Sequence, residues 1–351
     1  MNATLNVTAP CLALLVTLGV CRWLVRQAGR WAILDHPGER SLHHMPVPRT
    51  GGVAIVFGIA TACVLLVAWD LMPDEAVRLA PAALPVTLVS FADDLRGVRA
   101  GVRLAVHFGA AGALLVLGFL PERLALPGFE VPLGTLGGWL FGMLWLAWMT
   151  NLYNFMDGID GLAGGMAVIG FGALAVLGWL AGAYGYAVVC LVIAAAAGGF
   201  LVFNFPPARM FMGDTGSATL GFLAGGAVLW GDTRGLYPLW LGVLVFSPFI
   251  VDATVTLLRR ALAGEKVWLP HRGHFYQRLV QAGWSHRQTV CAEYFLMLGC
   301  ALSVIFLSIT RRDAIDAACA AGWIVLYAAL AGAIDRLAAK QRWGTGVRSH
   351  D

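Results

Sequence analysis

The sequence predicts an all-α polytopic membrane protein of about ten to eleven transmembrane helices with a cytoplasm-facing active site. Three observations lead there. Of the 351 residues 59% are apolar and 13% charged, with a mean hydropathy of +0.75, whereas an ordinary soluble domain carries about 25% charge. The apolar residues form eleven runs, near 9–25, 51–69, 79–92, 102–120, 136–150, 161–180, 184–203, 216–230, 236–257, 288–309 and 314–334, which approach the ~20 residues of a membrane span. The polar residues collect in short segments between these runs. Disordered, coiled-coil, disulfide-stapled and large soluble classes are thereby excluded, and residues 1–351 read as one integral membrane domain.

The first run, Ala9 to Val25, has no basic residue before it and carries Arg22, Arg26 and Arg30 at its far end. That is the reverse of a cleavable signal peptide, so it is expected to be a retained first span with the N-terminus outside. In this orientation 19 of the 24 Lys and Arg residues lie inside, leaving Arg78, Arg123, Arg234, Arg311 and Arg312 outside, as the positive-inside rule requires. The third run is short, and the sixth and seventh are separated only by a small Gly/Tyr turn. No repeat suggests an inverted-repeat transporter. The seven cysteines lie in or beside apolar runs without metal-ligand spacing, as reduced packing residues do. Of the 24 basic residues 22 are Arg, which suits bidentate phosphate binding and equally a genome bias.

The inside segments carry the chemistry. Asp93 and Asp94 end an apolar run, where two adjacent carboxylates need a cation or basic partner; Arg96 and Arg99 are the plain counter-charges. Asn151, Asn154, Asp157 and Asp160 recur every third residue, so on a helix any three in succession share one broad face, and Asp157 and Asp160 can converge on one ligand. Oxygen donors without Cys favour a hard cation such as Mg²⁺ over Zn²⁺. In FMGDTGS, Asp214 lies between glycines with Thr215 and Ser217 as candidate caps, and the helix N-terminus that follows is a candidate phosphate or metal site. Asp252 near the inner end of a span has Arg259 seven residues on as a candidate partner. The 259–287 loop combines His271, Arg272, His274, Arg278, His286 and Arg287 with Trp268, Phe275 and Tyr276, suited to a diphosphate and a base or, more plainly, to anionic lipid. His43, His44 and Arg49 are similarly ambiguous, and His107 within a span is expected to be packed with a local hydrogen bond.

At FADDLRG, NLYNFMDGIDGLAGG, FMGDTGS and the late HRGHFYQRL, and in the first inside segment from Asp35, the chain resembles the polyprenyl-phosphate N-acetylhexosamine-1-phosphate transferase superfamily, glycosyltransferase family 4. The resemblance runs from about Asp35 to Arg278. It implies transfer of a sugar-1-phosphate from a UDP-N-acetylhexosamine to undecaprenyl phosphate, releasing UMP with Mg²⁺, or Mn²⁺ in its place, at the bacterial inner membrane. By this resemblance Asp93, Asp94, Asp157 and Asp160 are catalytic, and Asp214 and Asn154 hold the metal. Asn204, Phe211, Arg272, His274 and Arg278 bind the nucleotide sugar. Tyr276 and Gln277 replace two histidines typical of N-acetylglucosamine-specific members, and the pattern resembles the O-antigen-initiating branch that uses 6-deoxy sugars such as N-acetylfucosamine or N-acetylquinovosamine; the alternative within the superfamily is a UDP-N-acetylglucosamine-specific or peptidoglycan-precursor member. The expected partners are undecaprenyl phosphate, the UDP-sugar and membrane lipids, with room for a homodimer and no nucleic acid.

Two rivals are weaker. A CDP-alcohol phosphotransferase needs Ala-Arg soon after its Asp-Gly, where this chain has Ile159-Asp160-Gly161-Leu162. A lipid or sugar transporter would place polar groups near the midplane and on both sides, whereas here the outer loops are bare.

Overall fold

The computed structural model describes residues 3–27, 34–35, 47–267, 269, 271–310 and 312–346. His43, His44 and Trp268 lie outside these. Among the described residues helices dominate. They are α1 (Ala3–Gln27), α2 (Gly51–Ala68), α3 (Asp74–Arg96), α4 (Ala100–Leu114), α5 (Gly134–Phe155), α6 (Leu162–Leu180), α7 (Tyr184–Asn204), α8 (Gly213–Thr233), α9 (Leu239–Val245), α10 (Ser247–Leu262), α11 (Phe275–Gln281), α12 (His286–Thr310) and α13 (Asp313–Gly346). A π-helical turn, Leu115–Phe119, continues α4. Two antiparallel pairs complete the chain, β1 (Leu34–Asp35) with β2 (Val47–Pro48) and β3 (Arg123–Leu126) with β4 (Phe129–Pro132).

Every apolar run of the sequence is helical, yet fewer than ten helices qualify as spans on length and composition. Eight do, or nine when the bent pair α9 and α10 counts as one span. That pair turns by 81° where Pro248, in the first turn of α10, has no N–H to continue the preceding ladder. The runs near 136–150 and 216–230 became α5 and α8, which are 22 and 21 residues long but rich in Gly and hydroxyl or amide side chains. The reason for α8 is its place: it packs against α2, α3, α5, α6 and α9 and is buried along nearly all of its length. A helix surrounded by helices has no need of lipid-facing apolar bulk, and small residues let its neighbours approach.

The tightest approach joins α2 to α8 at their first turns. Gly52 N–H donates to Met212 O at 2.7 Å, and Gly51 N–H to Phe211 O at 2.9 Å. A Cβ on Gly52 would lie 2.1 Å from the backbone nitrogen of Gly216. These two backbones touch because neither residue has a side chain, and the contact sets the level of the segment before α2 against the start of α8. All seven cysteines are free thiols, as the sequence suggested. Gly52→Ala is expected to lower the melting temperature of the detergent-solubilised protein, in keeping with the about 1–3 kcal/mol of an overpacked contact; an unchanged melting temperature would show that the two helix starts can part freely.

Candidate active site

The ends of α3 and α5, the starts of α4 and α8, and the segment before α2 meet at one end of the bundle. Asp94, near the end of α3, is tied to the start of α8. Its Oδ1 accepts the backbone N–H of Asp214 at 2.9 Å, and its Oδ2 accepts the N–H of Thr215 at 2.8 Å and the Thr215 hydroxyl at 2.6 Å. Asp94 is therefore an N-cap supplied from another helix, satisfying donors that α8 cannot pair itself. This corrects two expectations. The α8 N-terminus is occupied by a carboxylate rather than open to a phosphate, and Thr215 and Ser217 do not cap it. Thr215 donates to Asp94, and Ser217 donates to Gly213 O at 3.1 Å.

Two arginines stand between the carboxylates. Arg49 Nη2 donates to Asp214 Oδ1 at 2.6 Å, and its Nε lies 3.4 Å from Asp94 Oδ1. Arg103 Nη1 bridges Asp93 and Asp214, the latter at 2.9 Å. The chain turns at Gly97 between α3 and α4, and Val98 N–H donates to Asp93 Oδ1 at 2.5 Å, which brings Arg103 back beside Asp93. Arg49 is fixed by pairing of its neighbours, because Phe211 N–H donates to Pro48 O at 2.8 Å just before the Gly51 and Gly52 bonds. The compensation expected for the Asp93–Asp94 pair thus exists, but from Arg103 and Arg49 rather than Arg96 and Arg99. Arg49 was visible in the sequence only as an ambiguous basic residue beside His43 and His44, with nothing to link it to the carboxylates; Arg103 could be found only from its place ten residues beyond Asp93 across a Gly turn. The Asp94 carboxylate is 3% exposed, against 12% for Asp93 and 14% for Asp214. Asp93 and Asp214 are the members still open to a ligand.

The Asn/Asp series divides at the end of α5. Asn151 and Asn154 share a face of that helix, but it stops at Phe155, so Asp157 and Asp160 lie in the following turn and not on a common helical face. Asn154 Nδ2 donates to Ser217 Oγ at 3.1 Å, which joins it to the start of α8. Asp157, in the turn, is held well above the usual carboxylate range by burial, opposed by Arg49 and reinforced by the charges of Asp214, Asp94 and Asp160. Asp160 is engaged elsewhere: its Oδ2 accepts Ala208 N–H at 2.9 Å and its Oδ1 lies 3.4 Å from His286 Nδ1. Asn204 is buried and clamps two turns, accepting Gly161 N–H and donating to Met210 O, each at 2.9 Å. Phe211 lies in the strand-like contact with Pro48 and Gly51.

The late loop is organised around Asp252, and Arg259 is not its partner. Asp252 is buried on α10 and accepts the N–H groups of Phe275 at 3.0 Å and Tyr276 at 3.2 Å, capping α11, and its Oδ1 lies 3.1 Å from His274 Nδ1. Arg259 and Arg278 both pair with Asp335 of α13, at 3.2 and 2.5 Å. His274 is thus a buried residue of the loop's frame, stacked between His271 and Tyr276 and against Phe155. Burial, with His274 and Arg260 nearby, pushes His271 down to about 4, so it is neutral at pH 7. Arg272 is exposed, and its carbonyl accepts from Gln281. Tyr276 anchors the loop to the Asn/Asp turn: its hydroxyl donates to Phe155 O at 3.1 Å, and a Cβ on Gly158 would lie 2.0 Å from the Tyr276 hydroxyl oxygen. Asp94 is therefore bonded directly to the start of α8, Asp93 and Asp214 are joined through Arg103, Asn154 reaches the same helix start through Ser217, and Asp157 lies in their field. Arg272, His274 and Arg278 make no direct contact with that cluster among the interactions described, and Asp160, Asn204 and Phe211 hold the turns around it.

The donor set fits a hard cation. Asp93 and Asp214 present carboxylates against the guanidiniums of Arg49 and Arg103, Asp157 lies in the same field, and the Asn154 amide and Ser217 hydroxyl stand alongside. Among the described residues no three Asp, Glu, His or Cys side chains form a ready metal cage. Mg²⁺ in a phosphoryl-transfer site takes one or two carboxylates and completes its shell from water and substrate phosphates, so a full protein cage is not required.

Comparison with known proteins fits this geometry. The model of the family described as glycosyl transferase family 4 matches residues 77–232, which include Asp93, Asp94, Arg103, Asn154, Asp157 and Asp214. The chain is 30% identical to the "Probable undecaprenyl-phosphate N-acetylglucosaminyl 1-phosphate transferase" of Bacillus subtilis (strain 168), over 86% of this chain and 84% of that protein. It is 31% identical to the decaprenyl-phosphate N-acetylglucosaminephosphotransferase of Mycobacterium tuberculosis (strain ATCC 25618 / H37Rv), over 80% and 78% of the two chains. It is also 31% identical to the phospho-N-acetylmuramoyl-pentapeptide-transferase of Geobacillus thermodenitrificans (strain NG80-2), over 73% and 84%. The chain belongs to glycosyl transferase family 4, the polyprenyl-phosphate N-acetylhexosamine-1-phosphate transferase superfamily, and is a multi-pass membrane enzyme of that family.

Proposed function

We propose that the protein transfers an N-acetylhexosamine-1-phosphate from a UDP-sugar to undecaprenyl phosphate at the cytoplasmic side of the bacterial inner membrane, with its N-terminus outside. The observation that carries this reading is the cluster in which Asp93 and Asp214 share Arg103 while Asp214 also pairs with Arg49. A diphosphate and a divalent cation together match such a set, since each brings what the other side lacks: phosphate oxygens for guanidiniums, a cation for carboxylates. The basic residues assigned to the inside by the charge count include Arg49 and Arg103, which supports the cytoplasmic placement.

An oxygen of the lipid phosphate attacks the β-phosphorus of the UDP-sugar in line, the bond from that phosphorus to the bridging oxygen breaks, and UMP leaves. The products are the lipid diphosphate sugar and UMP. No strong base is needed, because a phosphate monoester with a second pKa of about 6 is largely a dianion at neutral pH. Asp93 then serves to position the lipid phosphate through Arg103. Mg²⁺, held by Asp214 and Asn154 with Mn²⁺ able to substitute, would neutralise the diphosphate charge that grows as UMP departs. Asp94 keeps the start of α8 in register, and Asp157 lies within the field of the same carboxylates. Arg49 and Arg103 take the diphosphate contact that the resemblance implied for His274 and Arg278, whose side chains bond to Asp252 and Asp335; Arg272, exposed on the same loop, keeps its place in the proposal as a nucleotide-sugar contact.

For the sugar, the 6-deoxy-N-acetylhexosamine class and a start to O-antigen synthesis are the finer part of the proposal. Supporting it, Tyr276 is buried with its hydroxyl on Phe155, and the Gln277 amide oxygen accepts the His274 N–H at 3.3 Å. Neither position presents an imidazole to a sugar hydroxyl.

Purified protein in detergent, given undecaprenyl phosphate, Mg²⁺ and a panel of UDP-N-acetylhexosamines, is expected to release UMP, fastest with the 6-deoxy sugars; no release from any of them would refute the reaction. Asp214→Asn should reduce turnover at least about a hundredfold while the protein still folds, the scale of a lost group acting on transition-state charge. EDTA should abolish turnover, with Mg²⁺ restoring it fully and Mn²⁺ in part, and activity that persists in EDTA would remove the cation from the scheme.

A further inference from the structure

Deeper in the bundle than the carboxylate cluster, α4 and α5 hold a polar pair to which the reaction as written gives no part. His107 lies one helical turn beyond Arg103 and is 4% exposed. Its Nδ1 is 3.2 Å from Asn151 Nδ2, and that same nitrogen donates to Ala147 O at 2.7 Å. A carbonyl oxygen can only accept, so the atom facing Ala147 must be the amide nitrogen, which fixes the orientation of the amide. Its second N–H then points to His107 Nδ1, which acts as acceptor, and the imidazole is neutral with its proton on Nε2.

Two consequences follow. Both N–H groups of Asn151 are used, and among the described residues nothing donates to its Oδ1. Asn151 is half-buried and lies three residues before Asn154 on the face of α5 that meets Ser217 of α8. Independently, His107 Nε2 is buried and has no hydrogen-bond partner among the described residues. An unpaired buried donor is unfavourable, and an apolar side chain of similar size would avoid it. A residue kept for packing alone would not carry this penalty.

We propose that His107 is a positioning residue: by holding the amide of Asn151 it leaves Oδ1 as an acceptor for an O–H or N–H group of the bound sugar nucleotide, and it does so at the expense of stability. The inference rests on the transferase reading above. It differs from packing in its consequences, because loss of the imidazole should harm substrate use without harming the fold.

The test compares His107→Leu, His107→Asn, Asn151→Leu and the double variant His107→Leu/Asn151→Leu in the full-length purified protein. Melting temperature is measured beside kcat and the separate KM values for UDP-sugar and undecaprenyl phosphate. His107→Leu should melt at or above the wild-type temperature, yet lose about tenfold or more in kcat/KM for the UDP-sugar with the lipid KM unchanged. His107→Asn, whose Oδ1 can accept the same N–H, should stay within about threefold of wild type. The double variant should be no worse than Asn151→Leu alone, as expected for residues acting as one unit. Wild-type kinetics in His107→Leu, equal loss in His107→Asn, or a lowered melting temperature or failure to fold in His107→Leu would overturn the proposal. Absence of UMP release by the wild-type protein would instead refute the underlying transferase reading.

Discussion

Helix α8 begins inside the protein, and its first N–H groups must find acceptors there because neither water nor its own ladder supplies them. Asp94 meets that need from the end of α3, with both carboxylate oxygens engaged by Asp214 and Thr215. Other features depend on this contact. It sets Asp214 beside Asp93, which would be repulsive without compensation, and so requires Arg103 between them and Arg49 on the far side. Arg49 can reach because the segment before α2 pairs with residues 211–212, and that pairing needs the backbone contact of Gly52 with Gly216.

A structural carboxylate and functional carboxylates are thus separated within one motif. Adjacent in sequence, Asp93 and Asp94 diverge in use because one is fully consumed by a helix start and the other faces a shared guanidinium. In the proposed reaction these partly open ion pairs would exchange partners as the diphosphate and the cation bind, each substrate charge replacing one that leaves. The late loop plays a different part. Asp252 and Tyr276 fasten it to α10 and to the end of α5, so its histidines serve as frame more than as ligand contacts.

Much of the fold was legible in the sequence because membrane helices announce themselves by length and composition. The eleven runs all became helices; what hydropathy could not resolve was which of them lie inside the bundle, since a central helix such as α8 is built from small and hydroxyl residues. The acidic members of the site were visible as pairs and triplets near Gly. Their pairing with arginines was not: Arg49 stood out only as an ambiguous basic residue and Arg103 not at all, because pairing across 165 and 111 residues leaves no local pattern. The three-residue spacing of Asn151, Asn154, Asp157 and Asp160 misled in one respect: Met156, Asp157 and Gly158 end the helix, so a helical face could not extend through Asp160. Asn204, His274 and Arg278 were legible only through the family resemblance, since their side chains hold neighbouring segments that no local pattern links to them.

The most direct measurement of the central claim is mass spectrometry of the lipid extracted after the purified protein is incubated with undecaprenyl phosphate, a UDP-N-acetylhexosamine and Mg²⁺. A product heavier than undecaprenyl phosphate by one N-acetylhexosamine-1-phosphate unit is expected. Lipid of unchanged mass with every sugar offered, or a lipid carrying sugar without the second phosphate, would contradict it.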